Sequence, residues 1–465
     1  MNLSAIQKMN APATVDDYAY PETEALEVAE PAVGTRPSKP QSQSAPGRKK
    51  RGAEFYKPFH YLLLVYLFFY CSRIPEMVPA MHAGLLLQPL LLIGMIMTGT
   101  TKTIYQSPVG RAMMWFTGWM LLCIPFATWK GGAFDQFTVA LQALVLIFFM
   151  TAFIRSIDDC YRVMFVIALA MTVVGILSLV IGGGREGSNR LGLGSGNDTL
   201  SDSNFLALFL IVGFPLIWFS ASVKKGLLRV VMILAMIPVL AGAAETGSRS
   251  GLLAMGAGII FFLIFATMKQ RITIVGGGLI FLILAGALLP PNILGRFTTV
   301  FRANTSAAEE AAESAETRKM LLGKSLDMTI HHPILGVGPG QFMVAEAKEA
   351  EKAGHRGVWH YTHNSYTELS SECGIPGLIF YIVAFWRAYR GLTPIRNRYP
   401  RASTRRAAMF VQMAVLMAAI GAFFLSIAYG GLLYAILGLS AALQLAVARE
   451  RKEKMKEQAL VAAAA

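Results

Sequence analysis

From about Leu62 to Val447 the chain alternates apolar runs of roughly 18 to 22 residues with short polar connectors. Runs of that length can cross a hydrocarbon core of about 30 Å. They place spans at 58–72, 79–99, 112–128, 135–154, 162–182, 204–222, 227–245, 251–268, 272–289, 374–391, 407–428 and 431–448. The first is short and aromatic, and could pair with the second as a hairpin broken near Pro75 and Pro79. The expected fold is an all-α polytopic membrane protein of about twelve transmembrane helices. With the N-terminus inside, connectors 100–111, 155–161, 223–226, 269–271 and 392–406 fall on the inner side, and all carry Lys or Arg. Twelve crossings return the basic tail 449–465 to that same side.

Two connectors on the opposite side are substantial, 183–203 and 290–373. The second is far longer than an ordinary inter-helix turn, and such loops are functional or disordered. Its composition favours order. Residues 306–330 alternate Ala, Glu, Met and Leu at helical spacing, with Met320, Leu321, Lys324 and Met328 on one face, and a second helix is expected over about 341–353. The organisation expected is a disordered cytoplasmic tail 1–57, helices one to nine over 58–289, a large helical external loop 290–373 between helices 9 and 10, and helices ten to twelve over 374–448. The first span then acts as an uncleaved anchor.

Composition agrees with the span pattern. The chain is 54% hydrophobic and only 15% charged, where soluble chains carry about 25% charged residues. Its net charge of +14 comes from Lys/Arg clusters that abut the spans, which is the positive-inside pattern and excludes nucleic acid as the partner. The four cysteines show no metal-ligand spacing.

The useful anomaly is arginine on the translocated side: Arg185, Arg190, Arg249, Arg296, Arg302 and Arg318. Long loops translocate regardless of charge, which suffices for Arg296 and Arg302. Arg249 instead occupies the tight turn 246–251 at the membrane surface. There it could snorkel to the interface or grip a diphosphate with paired N–H donors. Gly336, Gly338 and Gly340 form a flexible turn whose backbone could approach a phosphate or sugar closely, or simply join two helices. The turn lacks the Lys and Ser/Thr of a P-loop. His331 and His332 read as helix-end residues before Pro333. His363 differs: it precedes Asn364, Tyr366 and a helical segment leading straight to the membrane. A neutral imidazole there could take a proton from a sugar hydroxyl, or hydrogen-bond a phosphate or a loop carbonyl.

Together these residues resemble the O-antigen ligase and polymerase family of membrane glycosyltransferases. His363 followed by ten residues and Gly374 resembles the family's histidine motif, and Arg249 followed by three residues and Leu253 its arginine–leucine motif. Arg318 upstream of His332-Pro333-Ile334-Leu335-Gly336-Val337-Gly338 falls where the family places an arginine. Arg190-Leu191-Gly192, followed by Ser203-Asn204-Phe205-Leu206-Ala207, is similar to its earlier motif, with Ser203-Asn204 standing where Pro-Asn is usual. The resemblance covers about 185–380. It implies a multi-pass protein of the bacterial inner membrane with both termini cytoplasmic and the long loop periplasmic. It further implies inverting transfer of a glycan from an undecaprenyl-diphosphate carrier to an acceptor hydroxyl on a glycan, lipid A core or protein, without metal or other cofactor. Arg249 and His363 would be catalytic. Arg190, Arg318, Gly336, Gly338, Gly340, Asn364 and Tyr366 would bind substrate.

Two other classes compete. A transporter or flippase of lipid-linked saccharides would keep ionisable residues inside its spans, and the spans here are nearly free of them. A scaffolding protein would leave the translocated arginines without a purpose. Ligase and polymerase motifs overlap, so the sequence leaves that choice open.

Overall fold

In the computed structural model, described over residues 55–77, 83–183, 190–194, 199–288, 306–357 and 359–464, every regular element among the described residues is helical. The principal helices are α1 (Lys57–Ser72), α2 (Ala83–Met97), α3 (Pro108–Cys123), α4 (Lys130–Phe153), α5 (Ile157–Ile181), α6 (Ser203–Val223), α7 (Gly226–Leu234) and α8 (Met236–Glu245). They continue with α9 (Arg249–Phe265), α10 (Met268–Leu288), α11 (Ser306–His331), α12 (Phe342–Lys352), α13 (Ser365–Arg390), α14 (Thr393–Arg398), α15 (Ala402–Gly421) and α16 (Gly431–Ala464). The expected disordered tail falls on residues 1–54 outside the described residues, as do Arg185, Arg296 and Arg302.

The protein is a polytopic all-α membrane protein, but the expected count of twelve is corrected. Seven helices among the described residues are long and apolar enough to cross a membrane: Pro108–Phe126, Lys130–Phe153, Ile157–Ile181, Ser203–Val223, Gly226–Glu245, Ser365–Arg398 and Gly431–Ala463. An apolar run is not the same thing as an unbroken helix of spanning length. α1 and α9 have 16 and 17 residues, short of the roughly 20 that a straight crossing needs. Pro75 and the segment around it divide the first two expected spans, and α2 keeps 15 residues. α15 has 20 residues but opens on Ser403, Thr404, Arg405 and Arg406, with Gln412 further in. The run at 272–289 lies in α10, several of whose side chains are outside the described residues.

α6 is largely buried and packs against α5, α8, α9 and α15. Its first residues, those of α9 and those of α13 share one end of the bundle. The 422–430 turn ties that end together. Ser365 donates its N–H to the Ala422 carbonyl at 2.8 Å and its hydroxyl to the Leu425 carbonyl at 2.6 Å. The Ile427 N–H returns to the Ser365 hydroxyl oxygen at 2.8 Å.

α11 and α12 lie over this end on a small core of their own, made by Leu321, Met328, Val337, Phe342 and Ala345. The apolar stripe expected on α11 is thus shifted: Leu321 and Met328 are buried, whereas Met320 faces outward. Lys324 pairs with Glu346 to join the two helices. Thr329 and Ser370 exchange a hydroxyl hydrogen bond at 2.8 Å, which fixes α11 to α13.

Candidate functional site

The site is assembled from three helix starts and one helix side. Arg249 is the first residue of α9 and is exposed. Ser248 caps that helix, accepting the Gly251 N–H at 3.2 Å, and donates its hydroxyl to Asn204 Oδ1 at 2.9 Å. The turn bends back at Gly247, whose φ of +60° favours glycine. The bare N–H groups and dipole of a helix start favour an anion here, and the Arg249 side chain adds a full charge.

Arg318, half-buried on α11, lies within electrostatic reach of Arg249. Burial lowers its pKa, the Arg249 charge lowers it further, and Asp202 opposes both. His363 is within electrostatic reach of Arg318. Burial pushes the imidazole below its ordinary value, the Arg318 charge pushes the same way, Asp202 pulls it up, and His360 adds a lowering. Burial and the Arg318 charge thus favour the neutral imidazole, the form that can accept a proton. Arg318 is thus within electrostatic reach of both Arg249 and His363.

The backbone at His363 is left-handed, with φ of +53°. Such a residue costs about 1–3 kcal/mol and persists only where its surroundings fix it. Here Ser426 does so, accepting the His363 N–H at 3.0 Å and meeting the Thr362 hydroxyl at 2.8 Å. Ser426 escapes sequence reasoning because it ends an apolar run. Asp202 was overlooked as well. It caps α6 by accepting the N–H groups of Asn204 and Phe205 at 2.8 and 3.1 Å, and a helix cap is what an Asp before a long apolar run ordinarily signals.

Other expected site residues have their polar groups directed elsewhere. Arg190 donates to the Thr246 carbonyl at 2.9 Å and to Asn204 Oδ1 at 2.8 Å, bracing the turn that carries Arg249. Asn364 caps α13, taking the Tyr366 and Thr367 N–H groups at 2.9 and 3.3 Å. Tyr366 donates its hydroxyl to the Ala419 carbonyl at 2.8 Å and packs its ring on Phe423.

The glycine turn was expected to offer its N–H groups to a ligand, but they close on the protein instead. Glu372, buried in α13, accepts the Gly340 and Phe342 N–H groups at 2.7 and 3.0 Å and the Tyr429 hydroxyl at 2.7 Å. The Gly338 N–H goes to the Glu372 carbonyl at 3.0 Å, and the Gly336 N–H to His332 at 3.1 Å. The glycines are needed for close approach: all three have positive φ, and a Cβ at Gly336 would stand 2.3 Å from the Glu372 carbonyl carbon. Among the described residues, no group of three or more His, Cys, Asp or Glu side chains could hold a metal ion.

The fold is that of a helical membrane protein with charged and polar side chains gathered at one end of its bundle, beneath α11 and α12. Residues 234–382, the stretch that holds Arg249, Arg318, the glycine turn and His363, match the O-antigen ligase family. The match covers about a third of the chain and likens that segment to an O-antigen ligase, a glycan-processing enzyme. Residues 54–225 match a family of unknown function. No curated protein matches the chain.

Proposed function

We propose that the protein transfers a glycan from an undecaprenyl-diphosphate carrier to an acceptor hydroxyl at the periplasmic face of the bacterial inner membrane. The observation that carries this reading is Arg318 on α11 within electrostatic reach of both Arg249 at the start of α9 and His363 before α13. In this reading α11 and α12 are periplasmic, on the side opposite the Lys/Arg-rich connectors.

Arg249 and Arg318 hold the diphosphate and offset the negative charge that grows on it as the anomeric C–O bond breaks. Their mutual repulsion is relieved when an anion sits between them. His363 takes the proton of the attacking hydroxyl, and attack opposite the leaving diphosphate inverts the anomeric carbon. Nothing in this sequence of steps calls for a metal. Arg190 acts at one remove, as a positioning residue for the Arg249 turn. The glycine turn, Asn364 and Tyr366 shape the floor and hinge of the site.

The direct test is reconstitution in lipid with undecaprenyl-diphosphate glycan and candidate acceptors. A new glycosidic product should appear together with stoichiometric undecaprenyl diphosphate. Arg249→Ala should lower the rate by about 100- to 1,000-fold, the usual cost of one donor to a developing anion. Full activity in that variant would refute the assignment. Arg190→Lys keeps the charge but loses the two-armed brace between Thr246 and Asn204. A charged hydrogen bond of about 1.5–3 kcal/mol is at stake there, so a loss of roughly tenfold to a hundredfold is expected in the same assay. A wild-type rate would remove Arg190 from the machinery.

A further inference from the structure

The connector from α12 to α13 carries two large rings that the fold does not use. Trp359 and Tyr361 are each 59% exposed. Among the described residues neither side chain has a hydrogen-bonded, ionic or ring partner. Yet both ends of the connector are fixed. The His355 N–H is held by the Ala350 carbonyl at 2.8 Å, and a Cβ at Gly357 would stand 2.6 Å from the Ala347 Cα of α12. At the other end Thr362 is buried, and Ser426 holds it and His363 at 2.8 and 3.0 Å. Between these anchors Trp359 takes a left-handed backbone, with φ of +53°. A bulky residue is strained in that region, and such strain collects at functional sites. Here it presents an indole outward instead of packing it.

The rings border the candidate site. Tyr361 is two residues from His363 and Trp359 four, so their backbones lie within about 7 and about 14 Å of it. His360, between them, is within electrostatic reach of His363. Trp and Tyr also collect where membrane meets water, but this connector does not suit that use. α12, against which it folds, has five charged residues among its eleven, and His355, Arg356 and His360 beside the rings are exposed. Aromatic faces bordered by imidazole and guanidinium donors suit a sugar. Its C–H groups pack on the rings, and its hydroxyls take hydrogen bonds from the indole N–H, His and Arg. Trp and Tyr offer that contact area while fixing only two χ angles each.

We propose that Trp359 and Tyr361 form a pyranose-binding platform for the glycan that is transferred. The proposal rests on the proposed glycan transfer and gives its donor a second point of recognition, apart from the diphosphate. The sugar bonded to the diphosphate sits at Arg249 and Arg318, and the units beyond it cross the two rings. The arginines then hold any polyprenyl diphosphate, whereas the platform selects the glycan it carries.

The test uses the full chain in nanodiscs and two probes: bare undecaprenyl diphosphate, and the undecaprenyl-diphosphate glycan extracted from the bacterium that makes this protein. The wild type should bind the glycan-bearing carrier about tenfold more tightly than the bare one. Trp359→Ala and Tyr361→Ala, both at exposed positions where folding is not at stake, should each remove most of that margin and leave bare-carrier affinity unchanged. Trp359→Phe keeps a ring and should keep part of the margin. In the transfer assay Trp359→Ala should raise KM for the glycan carrier with kcat unchanged, as loss of uniform binding does. Equal wild-type affinity for the two carriers, or a full margin in both Ala variants, overturns the platform and leaves the proposed function standing. Ala variants that lose affinity for both carriers alike point to a structural or membrane-anchoring role and overturn it too. A wild type that binds neither carrier overturns the proposed function, and the platform with it.

Discussion

His363→Ala is expected to slow glycan transfer by about 100- to 10,000-fold, the range that a positioned general base contributes, with membrane insertion and yield unchanged. The pH profile separates a base from a residue that merely holds the loop. The imidazole works unprotonated, so the rate should fall as pH drops through its pKa and level off above it. Burial and the Arg318 charge hold that pKa below the ordinary value, so the acid limb should lie below about 6.5. Arg318→Ala removes one of the three lowering influences, burial, Arg318 and His360. Besides a slower rate, it should move the acid limb upward in pH, toward the ordinary imidazole value. A structural role for His363 would leave the limb unmoved by Arg318, and a His363→Ala enzyme with the wild-type rate would end its assignment as the base.

The cluster that makes this prediction was legible because each member breaks a local rule. Arg249 and Arg318 are cations in connectors that the span pattern assigns to the side poor in Lys and Arg, and His363 directly precedes a long apolar helix. Residues that obey every local rule were not legible. Ser426 passes for the end of an apolar run, and Asp202 for an ordinary cap. Glu372 lies nine residues beyond His363 and 32 from Gly340 in the chain, so no window on the sequence joins it to the glycine turn.

The number of crossings failed for a related reason. Hydropathy measures the apolar content of a run, whereas a crossing also needs enough helix to span, and α1, α2 and α9 keep only 16, 15 and 17 residues. The start of α13 shows the opposite error. It begins at Ser365, nine residues before the expected span start at 374. Ser365, Glu368, Ser371 and Glu372 read as polar loop in isolation, yet they are buried there, with partners that only the fold provides.

Gly374→Ala should damage the site without touching any charged residue in it. Gly374 sits at a kink inside α13 with φ of +70° and ψ of −179°, a conformation essentially reserved for glycine that costs other residues about 1–3 kcal/mol. A Cβ there would stand 2.1 Å from the Ile334 carbonyl oxygen and 2.8 Å from that of Pro333. Both contacts are backbone, so no side chain can swing aside. Just across, the Ile375 N–H bonds to the Pro333 carbonyl at 2.8 Å and the Val337 N–H to the Ser371 carbonyl at 2.8 Å. The added methyl would push the 333–340 turn off α13 and with it the two N–H groups that Glu372 accepts. α11 would then lose its seat, and Arg318 its place beside His363. The expected result is a protein that still inserts, with faster hydrogen exchange over 333–345 and transfer reduced at least tenfold. Gly323→Ala is the matched control on the same connector. Its Cβ would meet nothing within 4 Å in the middle of α11, so it should be neutral or stabilise the helix by about 0.5–1 kcal/mol. Equal behaviour of the two variants would mean that the glycine seat does not position Arg318.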